Sequence, residues 1–151
     1  DGNPYHPPGE SDLWAYLPGC GEGQPRDFTQ HLLGLIGRGK GLTPSGDDFL
    51  VGYLLAAHTL ALPTPPSASQ DALQTQILET AQRKTTTLSA ALIQCAAEGL
   101  ADVRLMDCLQ WLIQGGTSLA RVKSTLLSYG SSSGVDSFTG MLAAILMMPG
   151  R

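Results

Sequence analysis

One pattern occurs twice along this chain, and each time it dictates the start of a helix. The first copy is Thr43-Pro44-Ser45-Gly46-Asp47-Asp48-Phe49-Leu50-Val51-Gly52, leading into Tyr53-Leu54-Leu55-Ala56-Ala57. The second is Ser131-Ser132-Ser133-Gly134-Val135-Asp136-Ser137-Phe138-Thr139-Gly140, leading into Met141-Leu142-Ala143-Ala144-Ile145. Both contain Ser-Gly-x-Asp-x-x-x-Gly before an apolar run. Serine is a strong N-cap, and an acid three residues later completes a capping-box-like start. That acid also faces the positive end of the helix dipole. Glycine weakens a helix, so Gly46 and Gly134 make sense if something approaches the first-turn N–H groups closely. Gly52 and Gly140 lie two turns further in, where they let two helices cross at short range.

The rest of the chain reads as helices between loops. Residues 1–25 hold five of the ten prolines and five glycines, and predict an extended arm or linker with one helical turn near Ser11–Leu17. Trp14, Tyr5 and Tyr16 are its candidate anchors. Residues 26–151 form the helical domain. A short helix is expected over 26–36, with Pro25 suited to its first turn. The loop Gly37-Arg38-Gly39-Lys40-Gly41-Leu42-Thr43-Pro44 follows. A strong helix runs from Ser45 to about Leu62, and residues 63–69 are a surface loop. Further helices are expected over 70–83, 86–98, 103–114, 117–128 and from Ser133 to about Met148, with Gly99 closing the second of these five. No segment alternates as a half-buried strand does, so the fold class is all-α, a compact domain of about six to seven helices.

Composition limits the partners. The chain has 151 residues, enough for one domain with its own core. Only 15% of them are charged, below the usual quarter, which predicts that part of the surface is covered by another segment or a partner subunit. A net charge of −4 argues against a general nucleic-acid binder. No run of 18 apolar residues predicts a membrane span, and Asp1-Gly2-Asn3-Pro4 does not begin a signal peptide. Three cysteines without motif spacing, Cys20, Cys95 and Cys108, suit reduced thiols in a cytoplasmic protein. Cys95 and Cys108 lie in apolar helical patterns and are expected in the core.

Two helix starts that converge would share one site. Unpaired first-turn N–H groups and positive potential suit phosphate or carboxylate. The ligand-binding candidates are Gly41, Thr43, Ser45, Gly46, Ser132, Ser133, Gly134 and Asp136. Asp47 and Asp48 are the catalytic candidates, since adjacent carboxylates raise one another's pKa toward that of a general base. Asp47, Asp48 and Asp136 also form a candidate magnesium site, because that ion prefers carboxylate and water oxygen. The bland alternative is two well-capped, closely packed helices.

Other signals are weaker. Gly34-Leu35-Ile36-Gly37-Arg38-Gly39-Lys40-Gly41 nearly has the spacing of a P-loop, but Gly41 stands where Ser or Thr is required and no strand precedes it. Its backbone could still wrap an anion, with Arg38 and Lys40 adding charge, or it is a solvated turn. The polar cluster Arg83-Lys84-Thr85-Thr86-Thr87-Leu88-Ser89 reads mainly as a helix cap, with Thr86 or Thr87 as the hydroxyls that could also face the ligand. His31 and His58 have no zinc-like spacing and read as structural or partly exposed.

At Gly41-Leu42-Thr43-Pro44-Ser45-Gly46-Asp47-Asp48 the chain resembles the AllH-type subunit of oxamate carbamoyltransferase, a conserved bacterial family. Gly130-Ser131-Ser132-Ser133-Gly134-Val135-Asp136 is similar to the family's C-terminal motif, and Thr87-Leu88-Ser89 with Gly99 is a weaker third match. The resemblance covers roughly residues 28–148. Arg38 and Lys40 depart from the family's usual apolar and small residues. Family members are usually longer at the N-terminus, so the chain is expected to be a fragment. The resemblance implies a place in purine-nitrogen catabolism, where oxalurate and phosphate are interconverted with oxamate and carbamoyl phosphate by several different subunits. It therefore implies other carbamoyltransferase subunits, the protein's own N-terminal region and a small anionic ligand as partners. Three functions follow as expectations: a helical subunit that binds an anion between the two helix starts; a non-catalytic assembly module; and, least favoured, a magnesium-dependent hydrolase.

Overall fold

A helix that is apolar on every side must be surrounded by protein, and the run after Ser45 meets that condition. In the computed structural model, which describes residues 28–61, 68–116 and 118–147, Gly46 through Ala56 are all buried. Seven helices are described: α1 (Phe28–Leu35), α2 (Ser45–Ala61), α3 (Ala68–Lys84), α4 (Thr87–Ala97), α5 (Val103–Gln114), α6 (Leu119–Leu127) and α7 (Ser133–Met147). Among the described residues there is no strand, and the chain is all-α. The arm predicted over 1–25, its anchors Tyr5, Trp14 and Tyr16, and Cys20 lie outside the described residues.

The two helices that carry the repeated pattern form the centre. The contact between α2 and α7 is the most extensive in the fold. On the far side of α2 lie α1 and α4, with α3 against both, while α5 and α6 pack against α7. Phe49, Leu50, Leu55, Ile77, Ile93, Leu105, Leu109 and Met141 fill the core. Each such side chain contributes roughly 1.5–3 kcal/mol through burial. A smaller cluster, Cys108, Val122 and Leu126 with Trp111 and Phe138, joins α5 and α6 to α7.

The crossing of α2 and α7 is reciprocal. A Cβ at Gly52 would collide with the carbonyl of Ser137. A Cβ at Gly140 would collide with the carbonyl of Phe49 and press on the amide of Tyr53. In the alignment of the two copies, Phe49 corresponds to Ser137 and Gly52 to Gly140. The contact is therefore the same contact made twice, and the copies face each other about a local two-fold. Gly46 and Gly134 repeat the theme one level out. Their α-carbons pack against the carbonyls of Leu35, at the end of α1, and Leu126, at the end of α6. What approaches these two glycines is the main chain of the preceding helix.

Smaller differences from expectation have local causes. Both central helices begin with serine in the first turn, and the carbonyls of Pro44 and Ser132 accept the first helical bonds, so Ser45 and Ser133 follow the cap position instead of filling it. Cys95 is exposed, because the buried side of α4 is set by Ser89, Ile93, Ala96 and Ala97; Cys108 is buried as expected. Gly99 does close α4: at φ +79° it lets Leu100 N–H reach the Cys95 carbonyl at 2.8 Å and Gly99 N–H the Ala96 carbonyl at 3.0 Å. The His58 ring fills the space beside Gly99, and its Nδ1 lies 3.1 Å from the Ala97 carbonyl.

The glycine contacts make a sharp contrast. Gly52→Ala and Gly140→Ala should each lower stability by more than about 3 kcal/mol, since the neighbour that must move is backbone. Gly34→Ala in α1, where a Cβ meets nothing within 4 Å, should raise it by roughly 0.5 kcal/mol. Urea denaturation of the three variants checks both.

Candidate functional site

The two signature segments meet. Thr43 Oγ1 lies 3.4 Å from Ser133 Oγ, across the helix pair. Behind these hydroxyls sits Asp48, in the first turn of α2, only 3% exposed. Ser133 and Thr43 hydrogen-bond its carboxyl, Asp136 from the first turn of α7 acts on it electrostatically, and Oδ2 has no hydrogen-bond partner. Burial pushes the Asp48 pKa up to about 6; the two hydroxyls oppose that rise, while the charges of Asp136 and Asp47 add to it. Ser137, one residue beyond Asp136, carries a buried hydroxyl without a partner.

Asp47 does different work from its neighbour. One carboxyl oxygen accepts the Gly37 amide at 2.7 Å, and the other accepts the Thr85 hydroxyl. It therefore ties the loop before α2 to the turn between α3 and α4. Thr86 and Ser89 anchor the same loop, donating to the Leu42 carbonyl at 2.6 Å and 3.2 Å. Thr86 also caps α4, accepting the Ser89 amide at 3.0 Å. Arg38 and Lys40 are exposed on this loop. The expected joint site of Asp47, Asp48 and Asp136 is not assembled, because Asp47 faces Gly37 and Thr85. Among the described residues no group of three His, Cys, Asp or Glu side chains is placed to hold a metal ion.

The helix-start amides are also differently placed from expectation. Gly46 N–H donates to the Arg38 carbonyl at 2.9 Å, and Gly134 N–H to the Tyr129 carbonyl at 2.9 Å. Asp47 and Asp48 N–H both donate to Pro44, and Asp136 N–H to Ser132. The donors expected for an anion at Gly46 and Gly134 are thus satisfied by the chain itself. Of the remaining candidates, Thr43 and Ser133 adjoin Asp48, while Gly41 and Ser132 are exposed beside them in sequence and Ser45 is half-buried.

Three neighbouring residues carry no sequence signal. Tyr129, just before the second segment, is pushed up in pKa by burial and then by the nearby charges of Asp102 and Asp48. Arg104 lies over its ring, 4.9 Å from the centroid, and donates to the Ser128 carbonyl at 2.7 Å. Asp102, which caps α5, binds Arg104 through both oxygens at 2.9 Å. This holds the Asp102 carboxyl down at about 2. The group braces the turn that delivers Ser133. A separate cleft of about 320 Å³ between α5 and α6, lined by Cys108, Trp111, Gln114 and Arg121 among others, contains no residue of either segment.

The raised Asp48 pKa has a signed consequence. In the unfolded chain the group titrates near 3.8, in the folded chain near 6. The fold therefore holds the proton more tightly, and stability falls as pH rises from about 4 through 6. Asp48→Asn should stabilise the protein at pH 7.5 by up to roughly 3 kcal/mol and by little at pH 4. Urea titrations at the two pH values measure this; equal effects at both would contradict the buried-carboxyl geometry.

Comparison with known proteins agrees with the two segments. The family model described as oxamate carbamoyltransferase subunit AllH matches residues 35–145, which includes both segments and the helices between them. No curated protein and no solved structure matches the chain. Among the described residues no helix is long and apolar enough to cross a membrane. The chain belongs to the family of the oxamate carbamoyltransferase subunit AllH.

Proposed function

We propose that this chain serves as a subunit of a carbamoyltransferase complex and binds a small carbamoyl-bearing anion where the two signature segments meet. One observation carries the reading: Asp48 is a buried carboxyl with an unpartnered oxygen, placed at that junction. A buried acid that lowers stability at neutral pH is a feature that packing alone does not require. Thr43 and Ser133 would orient the ligand through their hydroxyls, with Ser45, Ser132 and Gly41 at the rim. Asp136 would face it from α7. The family implies other subunits as partners, oxamate, oxalurate, carbamoyl phosphate and phosphate as the ligand class, and a role in purine-nitrogen breakdown in the cytoplasm.

A proton has to be moved in carbamoyl transfer between phosphate and an amide nitrogen. Asp48, with its pKa near 6, is suited to hold that proton in part at neutral pH. The role does not extend to Asp47, whose two oxygens are engaged in holding the loop. Asp47 is a positioning residue in this scheme.

The assembly-module reading is favoured by one separate observation. Leu100 and Val103, at the turn between α4 and α5, are 60% and 68% exposed, and Met106 adjoins them. The two readings diverge in one experiment. In the reconstituted complex, Asp48→Asn should reduce phosphorolysis of oxalurate by about 10²-fold or more, while gel filtration shows the complex intact. Full activity in an intact complex would leave the chain as an assembly module.

A further inference from the structure

We infer that the Asp48–Asp136 junction recognises its ligand through N–H donors, as a primary amide or ureido group presents, and not through the ligand's negative charge. The inference deepens the ligand-site reading above and rests on it. It follows from what the junction offers. Five of the helix-start amides are engaged within the chain: Gly46 with Arg38, Asp47 and Asp48 with Pro44, Gly134 with Tyr129, Asp136 with Ser132. What the junction offers instead is acceptor oxygen. Asp48 Oδ2 is buried and has no donor. The charged groups that act on Asp48 are the carboxylates of Asp136 and Asp47. Arg104, the basic group of the adjoining network, is held by Asp102 and stacked on Tyr129, and no basic side chain is among the groups that act on Asp48.

An anionic oxygen brought here would be desolvated against like charge. An N–H group would do the opposite: it would satisfy Asp48 Oδ2 and stabilise the ionised carboxyl. A primary amide carries two such hydrogens, one of which would reach Asp48 Oδ2. Thr43 and Ser133 can each donate or accept, so they suit the amide carbonyl. The anionic end of such a ligand would then lie toward the exposed rim, near Leu42 and Ser132. The half-buried hydroxyl pair, at 3.4 Å, is the contact that parts to admit it.

Oxamate and oxalate test this, because they differ in that one has an amide where the other has a second carboxylate. Calorimetry on the reconstituted complex at pH 6, in two buffers of different ionisation heat, reads both affinity and proton exchange. Oxamate should bind with release of up to about half a proton, as Asp48 becomes ionised. Oxalate should bind at least ~10-fold more weakly and take protons up. Asp48→Asn should abolish the release. Oxalate binding as tightly as oxamate, or proton uptake with oxamate, overturns the inference while leaving a ligand site in place. Oxamate binding unchanged by Asp48→Asn, with full activity, overturns the site reading itself.

Discussion

The fold depends on a contact between two peptide backbones. Gly52 lies on the Ser137 carbonyl and Gly140 on the Phe49 carbonyl, with no side chain between them. Glycine within a helix is unfavourable by about 1 kcal/mol relative to alanine. Here that is offset by dispersion and weak Cα–H···O contacts between helices that approach more closely than side chains would allow. The same contact brings the first turns of α2 and α7 together. Asp48 and Asp136 are neighbours because the glycines about one turn below them remove the space that would hold them apart.

Asp47 and Asp48 show how one step along a helix separates a carboxylate bonded through both oxygens from one left with an unpartnered oxygen. A rotation of about 100° per residue turns adjacent side chains toward different neighbours. Asp47 turns to the loop before α2 and to Thr85, where both oxygens find donors. Asp48 turns to α7, where it meets hydroxyls and another acid. The first acid holds the segment in place, and the second is left under electrostatic tension inside it. The Asp102–Arg104–Tyr129 group does for the second segment what Asp47 does for the first.

The helices, their approximate ends and the close crossing at Gly52 and Gly140 were legible in the sequence, because periodicity and glycine placement are local signals. The convergence of the two segments was legible through their likeness. The occupants of the space beside Gly46 and Gly134 were not. The sequence shows that something must come close, but the carbonyls of Leu35 and Leu126 arrive through the path of the chain. The division of labour between Asp47 and Asp48 was hidden for the same reason, as it depends on which neighbour each faces. Tyr129, Arg104 and Asp102 adjoin the second segment without any motif to mark them, and Thr85 lay in a cluster that read as a helix cap. Cys95 looked internal because its segment is apolar overall, and the face it occupies is decided by the packing of Ile93 and Ala97.

Main-chain contact at the crossing has one further effect. Every chain built on this plan has the same peptide groups there, so the gap between α2 and α7 works as a fixed gauge that side-chain volume cannot reset. Larger side chains elsewhere in the core therefore cannot widen the space between the first turns of the two helices. Change in that region can fall on the two loops above, at exposed positions such as Leu42 and Ser132.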